Sequence, residues 1–254
     1  MKKVSPDLEA DGITHTYGDQ RALDGVSLRV AAGTVTALVG ESGSGKTTLL
    51  RSFNRLVEPD RGTITIGGAN VRAEPPESLR RRLGYVPQHG GLLPHWNVRR
   101  NVALVLKLAG NASAEAADEA LQRVGLEPNR FGARLPAELS GGQRQRVALA
   151  RAFAARQQVV LLDEPFGALD AISRGEAHEA FERVRAELGF TALLVTHDLA
   201  EAARLADQVV VMREGKIEQA GSVKELQQAP ASPYVRALFD RAYAAHASLV
   251  AGES

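Results

Sequence analysis

The chain has 254 residues, 44% of them apolar, and its 31 Lys and Arg nearly balance 30 Asp and Glu for a net charge of +1. This is enough for one large α/β domain, or a domain with a sub-lobe, around a packed core, and the balanced charge gives no global field to draw in nucleic acid or an acidic membrane. The absence of cysteine excludes a disulfide framework and a thiolate metal site and fits a reducing compartment. Met1 to Pro6 has no apolar core behind its lysines and does not read as a signal peptide. The longest apolar stretch, Val102 to Ala109, contains Lys107 and is too short to cross a bilayer. A soluble chain is expected, with any membrane role exercised through a partner.

Residues 8–30 alternate apolar and polar with breaks at Gly18 and Gly25, the pattern of short antiparallel strands. Tyr17 among them either stacks on an adenine or simply packs at a strand end. Thr34 to Val39 reads as a buried strand. It runs into Gly40, Glu41, Ser42, Gly43, Ser44, Gly45, Lys46, Thr47 and Thr48, and a helical pattern follows through Leu49, Leu50 and Phe53. Strand, glycine-rich turn, Lys-Thr and helix form a phosphate-binding loop in its required context. Inward backbone N–H groups make a nest for a polyphosphate, Lys46 supplies a point charge, Thr47 a hydroxyl for Mg²⁺, and the helix its positive end.

Glu58 to Gly62 is a turn, Thr63 to Ile66 a strand, and Pro75-Pro76 opens a short helix whose Arg80, Arg81 and Arg82 are expected on a solvated face. Leu83 to Pro87 is a strand that delivers Gln88 to a loop. Val98, Val102, Val105 and Ala109 then share one helical face, and Ala117, Ala120, Leu121 and Val124 another, with Ser113 as the second helix's cap. The loop from His89 to Trp96 is either tucked into the core or an exposed apolar rim where a partner docks. Leu139-Ser140-Gly141-Gly142-Gln143 opens a further helix to about Ala155. Ser140 and Gln143 have capping-box spacing, but glycine in a helix costs about 1 kcal/mol relative to alanine. Two in the first turn leave N–H groups open as a second anion site.

Gln158 to Asp163 is a continuous apolar run ending in a carboxylate, as in a central parallel strand, with Glu164 next on the loop. Asp170 starts a helix with apolar face Ala177, Phe181, Val184 and Leu188. Thr191 to Thr196 is another buried strand, ending at His197. Residues 199–206 form a short helix, 209–212 and 216–220 a hairpin, and Ser232-Pro233 starts a terminal helix; a loose chain is expected after about residue 247.

The phosphate loop, Gln88, Asp163 with Glu164, and His197 thus fall at the carboxyl ends of buried strands, where a doubly wound sheet binds its ligand. Phosphoryl transfer needs mainly positioning and charge neutralisation. Asp163 holds the Mg²⁺ hydration shell, Glu164 is the candidate general base for an attacking water, and His197 contacts the terminal phosphate.

In order and over nearly the whole chain, these motifs resemble the nucleotide-binding subunits of ATP-binding cassette (ABC) transporters. That resemblance implies a P-loop NTPase core with a mostly parallel sheet, an N-terminal antiparallel β subdomain and an inserted helical lobe. Its expected limits within a single domain over 1–254 are about 7–90 and 157–222 for the core, 91–156 for the lobe bearing Ser140 to Gln143, and 223–254 for a helical tail. It further implies ATP and Mg²⁺ as ligands, with Thr47, Gln88 and Asp163 about the metal. Tyr17 would be the adenine platform, and Asp170 would lie at a dimer junction. The dimer would be head to tail, the Ser140 and Gly142 amides of one copy closing over ATP held by the other. Membrane permease subunits and, indirectly, a substrate-binding protein are the implied partners, with the subunit on the cytoplasmic face. The loop from Gln88 to His95, followed by Asn97-Val98, is similar to that of importers of glycine betaine, choline and related osmoprotectants; a departure is expected from some of them, which carry a regulatory domain for which no room is expected after the C-terminal helix. The alternatives are an exporter subunit and a cassette ATPase acting on nucleic acid or ribosomes. Against the latter stand the 51 residues, 89 to 139, between Gln88 and Ser140, a single cassette, and neutral charge. A small GTPase has no use for Leu139 to Gln143, and the chain has no Asn-Lys-x-Asp guanine-reading motif.

Overall fold

A computed structural model describes residues 5–110 and 113–251, with side chains as far as residue 242. In chain order β1 (Leu8–Tyr17), β2 (Gln20–Val30) and β3 (Val35–Val39) lead to α1 (Lys46–Phe53), then β4 (Arg61–Ile66), β5 (Ala69–Asn70), α2 (Pro76–Arg82) and β6 (Leu83–Val86). A helical stretch follows, α3 (Val98–Leu108), α4 (Ala114–Arg123), α5 (Pro128–Phe131) and α6 (Gly141–Phe153), before β7 (Val159–Asp163), α7 (Ala171–Leu188), β8 (Thr191–Val195) and α8 (Leu199–Leu205). The chain closes with the hairpin β9 (Gln208–Arg213) and β10 (Lys216–Gly221), then α9 (Val223–Gln228) and α10 (Pro233–Ala251).

Two sheets result. One is antiparallel in the order β2-β1-β4-β5; the other runs β10-β9-β3-β8-β7-β6 and is parallel except for β10. The parallel strands β3, β7 and β8 are buried on both faces, which is why they read as continuous apolar runs. Their alternate residues divide between two cores. Ala37, Val39, Leu162 and Leu194 pack with the helical stretch and α7, while Leu38, Leu161 and Leu193 pack with α1 and the antiparallel sheet. Each such Val or Leu contributes about 1.5–3 kcal/mol by burial, so α1 and the loop before it are clamped between two rigid layers.

The elements depart from the sequence expectation at four places. Gly25 lies inside β2 with φ 65°, bending a hairpin whose pairing is already irregular, rather than ending the strand. Ala109 is exposed because α3 stops at Leu108, and Leu106 joins Val98 and Val102 in the core. Arg80 is not merely solvated, since it donates to the carbonyls of Asn54 and Arg55 at 2.9 and 2.6 Å and so closes the C-terminal end of α1. The terminal helix continues to Ala251 where a loose chain was expected from about 247; residues 252–254 lie outside the described ones.

Candidate functional site

The phosphate loop starts where β3 leaves the sheet. Gly40 has φ 145°, and a Cβ there would overlap the Met212 carbonyl of β9, so only glycine permits the exit. Lys46, the first residue of α1, is buried and turns its ammonium back onto the loop. It donates to the Gly40 and Glu41 carbonyls at 2.8 and 2.7 Å and to Ser44 Oγ at 3.1 Å. Burial pushes its pKa below the usual lysine value, against the opposing pull of Glu164 and Asp163. An ammonium desolvated in this way favours an incoming anion. The loop is tied further by the Gly215 amide, which donates to the Ser44 carbonyl at 3.2 Å, and by the Glu41 amide, which donates to Tyr234 Oη at 3.2 Å.

Asp163 ends β7 at 1% exposure. Thr47 Oγ1 donates to its Oδ1 at 2.8 Å, and Arg51 Nη2 to its Oδ2 at 3.0 Å. Sequence reasoning passed over Arg51. The signal was its position four residues after Thr47, on the same helical face. Tyr85 on β6 was also missed; burial and the Asp163 charge raise its phenol above the ordinary value. Thr47 and Asp163 present oxygen donors, as a hard cation requires, and among the described residues no cluster of three or more His, Cys, Asp or Glu is placed to hold a metal.

Gln88, Glu164 and His197 come from the ends of β6, β7 and β8, three neighbouring strands, and they converge on one atom. Gln88 Nε2 donates to Glu164 Oε2 at 3.3 Å, and His197 Nδ1 stands 3.6 Å from the same oxygen. Glu164 itself holds a left-handed backbone, φ 47°, with its amide donating to Val195 at 3.0 Å. Such a conformation in a residue other than glycine costs about 1–3 kcal/mol and clusters at functional sites.

Leu139 to Gln143 forms the head of α6. Ser140 Oγ accepts from the Gln143 amide at 3.2 Å, and Gln143 Oε1 accepts from the Ser140 amide at 3.1 Å. The Ser140 amide, expected to face a phosphate, is therefore occupied by its own capping box. Among the described residues no acceptor meets the Gly141 and Gly142 amides, which lie at the first positions of the helix, where intrahelical partners do not exist. Gly142 is buried, and a Cβ there would come 2.6 Å from Cβ of Ser173. The second glycine therefore lets α6 press against the start of α7, a packing role the sequence did not reveal. Asp170 caps that start, accepting from the Ser173 amide at 2.9 Å, a bond that holds its carboxyl below the ordinary value.

Tyr17 is 52% exposed at the end of β1, edge-on to His15 with centroids 4.6 Å apart. Ala22 and Leu23 on the return strand abut Gly45 and Gly215. Ser42, Gly43 and Thr48 remain within the loop and first turn, and Glu41 and Gly43 are exposed. The loop from His89 to Trp96 is anchored to the core in part and exposed in part. Asn101 is buried and holds it through bonds to Leu93 and Trp96, and Arg151 donates to the Gly90 and Gly91 carbonyls. His95 is exposed, and the half-buried Trp96 carries the Arg100 guanidinium 4.1 Å above its ring.

A family model described as ABC transporter matches residues 23–167. The chain is 44% identical over 237 residues to the glycine betaine uptake system ATP-binding protein YehX of Escherichia coli K12, covering 92% of this chain and 77% of that protein. It is 48% identical over 240 residues to the sulfate/thiosulfate import ATP-binding protein CysA of Mycobacterium tuberculosis, covering 93% and 67%. With the carnitine transport ATP-binding protein OpuCA of Listeria monocytogenes it shares 43% identity over 232 residues, 90% of this chain and 58% of that one. Among solved structures, the dimeric post-hydrolysis state of the ATP-binding cassette MJ0796 bound to ADP and Pi superposes with a TM-score of 0.77 at 30% identity, over 85% of this chain and 98% of that one. The chain belongs to the ABC transporter family, as one of its ATP-binding, ATP-hydrolysing subunits.

Proposed function

We propose that this chain powers import of a small quaternary-ammonium solute, glycine betaine, choline or a related osmoprotectant, by closing a head-to-tail dimer on ATP. The observation that carries the reading is the convergence of Gln88, Glu164 and His197 beside Lys46, Thr47 and Asp163, with open amides on a separate helix head. Lys46 shifts its ammonium from the Gly40 and Glu41 carbonyls to the β- and γ-phosphate oxygens. Thr47 and Asp163 hold Mg²⁺, Asp163 through water and with Gln88 nearby, and bound there the ion supplies further charge neutralisation. With Oε2 of Glu164 held by Gln88 and faced by His197, Oε1 takes the proton of the attacking water as the bond from the γ-phosphorus to the bridging oxygen breaks. His197 keeps the terminal phosphate in line, and Tyr17 stacks the adenine. The Gly141 and Gly142 amides of the second copy, with Ser140 and Gln143, cover the γ-phosphate through charge-assisted bonds. Binding thus closes the dimer, and hydrolysis reopens it.

Permease subunits dock on the rim built by Trp96, Arg100 and the loop after Gln88, which places the protein peripherally on the cytoplasmic face of the membrane, with a substrate-binding protein delivering the solute and no nucleic acid partner. Among the described residues no helix is long and apolar enough to cross a membrane. The solute rests on the loop from Gln88 to His95 and on relatives whose names specify glycine betaine and carnitine. Sulfate import is the second reading, favoured by the 48% identity to CysA. Purified complex with its permease and binding protein separates the two. ATPase activity stimulated by glycine betaine or choline and not by sulfate supports the first, and the reverse pattern replaces it.

A further inference from the structure

We propose that Tyr234, on the terminal helix, is a positioning residue for the phosphate loop, so that α10 sets the affinity for nucleotide. The Gly40 carbonyl and the Glu41 amide belong to one peptide group, and that group is gripped at both ends. Lys46 Nζ reaches the carbonyl at 2.8 Å, and Tyr234 Oη accepts from the amide at 3.2 Å across 193 residues of sequence. Apart from Lys46, its hold has to come from outside the loop, because Gly40 brings the widest backbone freedom of any residue to its φ of 145°. The tyrosine is itself well seated. Ser232 Oγ accepts from the Val235 amide at 3.3 Å to start the helix, Val235 and Phe239 fix α10 to the core, and the Arg213 guanidinium lies 4.9 Å from the Tyr234 ring. Arg213 directly follows Met212, whose carbonyl abuts Gly40, so the strand and the helix brace the same turn. Two residues after Phe239, Arg241 approaches the Glu41 carboxylate at 3.9 Å.

The consequence appears when a phosphate arrives. On the reading proposed above, Lys46 turns its ammonium to the phosphate oxygens and releases the Gly40 carbonyl. The bond to Tyr234 is then the hold that remains on that peptide, and it keeps the adjoining loop amides aimed inward. Without the hydroxyl, the loop must be ordered by the nucleotide itself, at the expense of affinity.

Tyr234→Phe tests this, because it keeps the ring, its burial and the Arg213 contact and removes only the hydroxyl. The whole chain is titrated with trinitrophenyl-ATP, and ATP hydrolysis and thermal midpoint are measured alongside. One net hydrogen bond corresponds to about a two- to tenfold change in equilibrium. The expected result is a Kd and KM raised by about that factor, with kcat and the thermal midpoint unchanged. An unchanged KM, or a KM that rises only together with a fall in kcat and midpoint, overturns the proposal. Lys46→Ala, run in parallel, separates the failures. If Lys46→Ala loses binding while Tyr234→Phe behaves as wild type, the brace alone is wrong; if Lys46→Ala binds normally, the phosphate-site reading beneath it is wrong.

Discussion

At the head of α1 the lysine ammonium and the Glu41 and Ser44 backbone groups already have partners within the protein, whereas at the head of α6 the Gly141 and Gly142 amides have none among the described residues. Lys46 carries three bonds to its own loop, and Ser44 and Glu41 are tied to β10's turn and to α10. The α6 head is satisfied only in its capping box, through Ser140 and Gln143. Both ends carry the positive pole of a helix dipole, yet the first is a cradle that holds its own lysine and the second an open tip at the exposed Gly141, Gly142 being buried against α7. A cradle must exchange bonds to admit a phosphate. An open tip gains bonds outright, which suits it to join last and to bind only when a second copy presents a phosphate.

The largest test of this division is Glu164→Gln, which leaves both ends intact and removes the proton acceptor between them. Phosphate release is expected to fall by at least about 100-fold, while ATP and Mg²⁺ hold two copies together on sedimentation. A variant that hydrolyses briskly, or that stays monomeric with ATP even beside its permease, breaks the link between the two ends. Lys46→Ala strikes the cradle alone. Loss of a charge-assisted bond, about 1.5–3 kcal/mol, weakens ATP binding about 10- to 100-fold in a titration with trinitrophenyl-ATP.

Gly142→Ala strikes the tip alone. The added methyl meets Ser173, and overpacking of this kind costs about 1–3 kcal/mol, read as a lower urea midpoint and a loss of ATP-dependent dimerisation with ATP binding retained. Combining it with Ser173→Gly is expected to recover part of the stability; no recovery in that double mutant means the close approach of α6 and α7 is not the cause.

The smallest effect is expected at Asp207, which belongs to neither end. Its Oδ2 accepts from the Val35 amide at 2.8 Å and from Arg185. Burial works to raise its pKa, but the Arg185 and Val35 bonds win and lower it. A carboxyl with a lowered folded pKa adds stability that is present above about pH 4 and lost as pH falls through the folded value. Asp207→Asn is expected to cost about 1 kcal/mol at neutral pH, discounted for a half-exposed pair, and to flatten the acid limb of the stability curve without altering nucleotide affinity. A shift in affinity there shows that the framework and the cradle are not separable.

Much of this site is legible in the order of residues because its parts are local. A glycine-rich turn between an apolar run and a helix, a Ser and a Gln three apart, and an apolar strand ending in Asp163 and Glu164 each carry their geometry within a few positions. The irregular loop from His89 to Trp96 was open to two readings because its anchors, Asn101 and Arg151, lie outside it. Arg51 was overlooked although its helical spacing from Thr47 was visible, since an arginine on a helix is ordinarily a solvated one.

The sequence alone determined which groups carry charge, which turns demand glycine, and which runs are strands buried on both faces, since these follow from side-chain chemistry and short-range periodicity. Only the tertiary structure decided which of them meet: that β6, β7 and β8 lie side by side so that Gln88, Glu164 and His197 share one oxygen, that Gly142 is small for the sake of Ser173, and that Tyr234 reaches back 193 residues to Glu41. Such contacts are set by how sheets and helices pack over long sequence separations, and a pattern with a period of two or 3.6 residues holds no record of which distant face it will be pressed against.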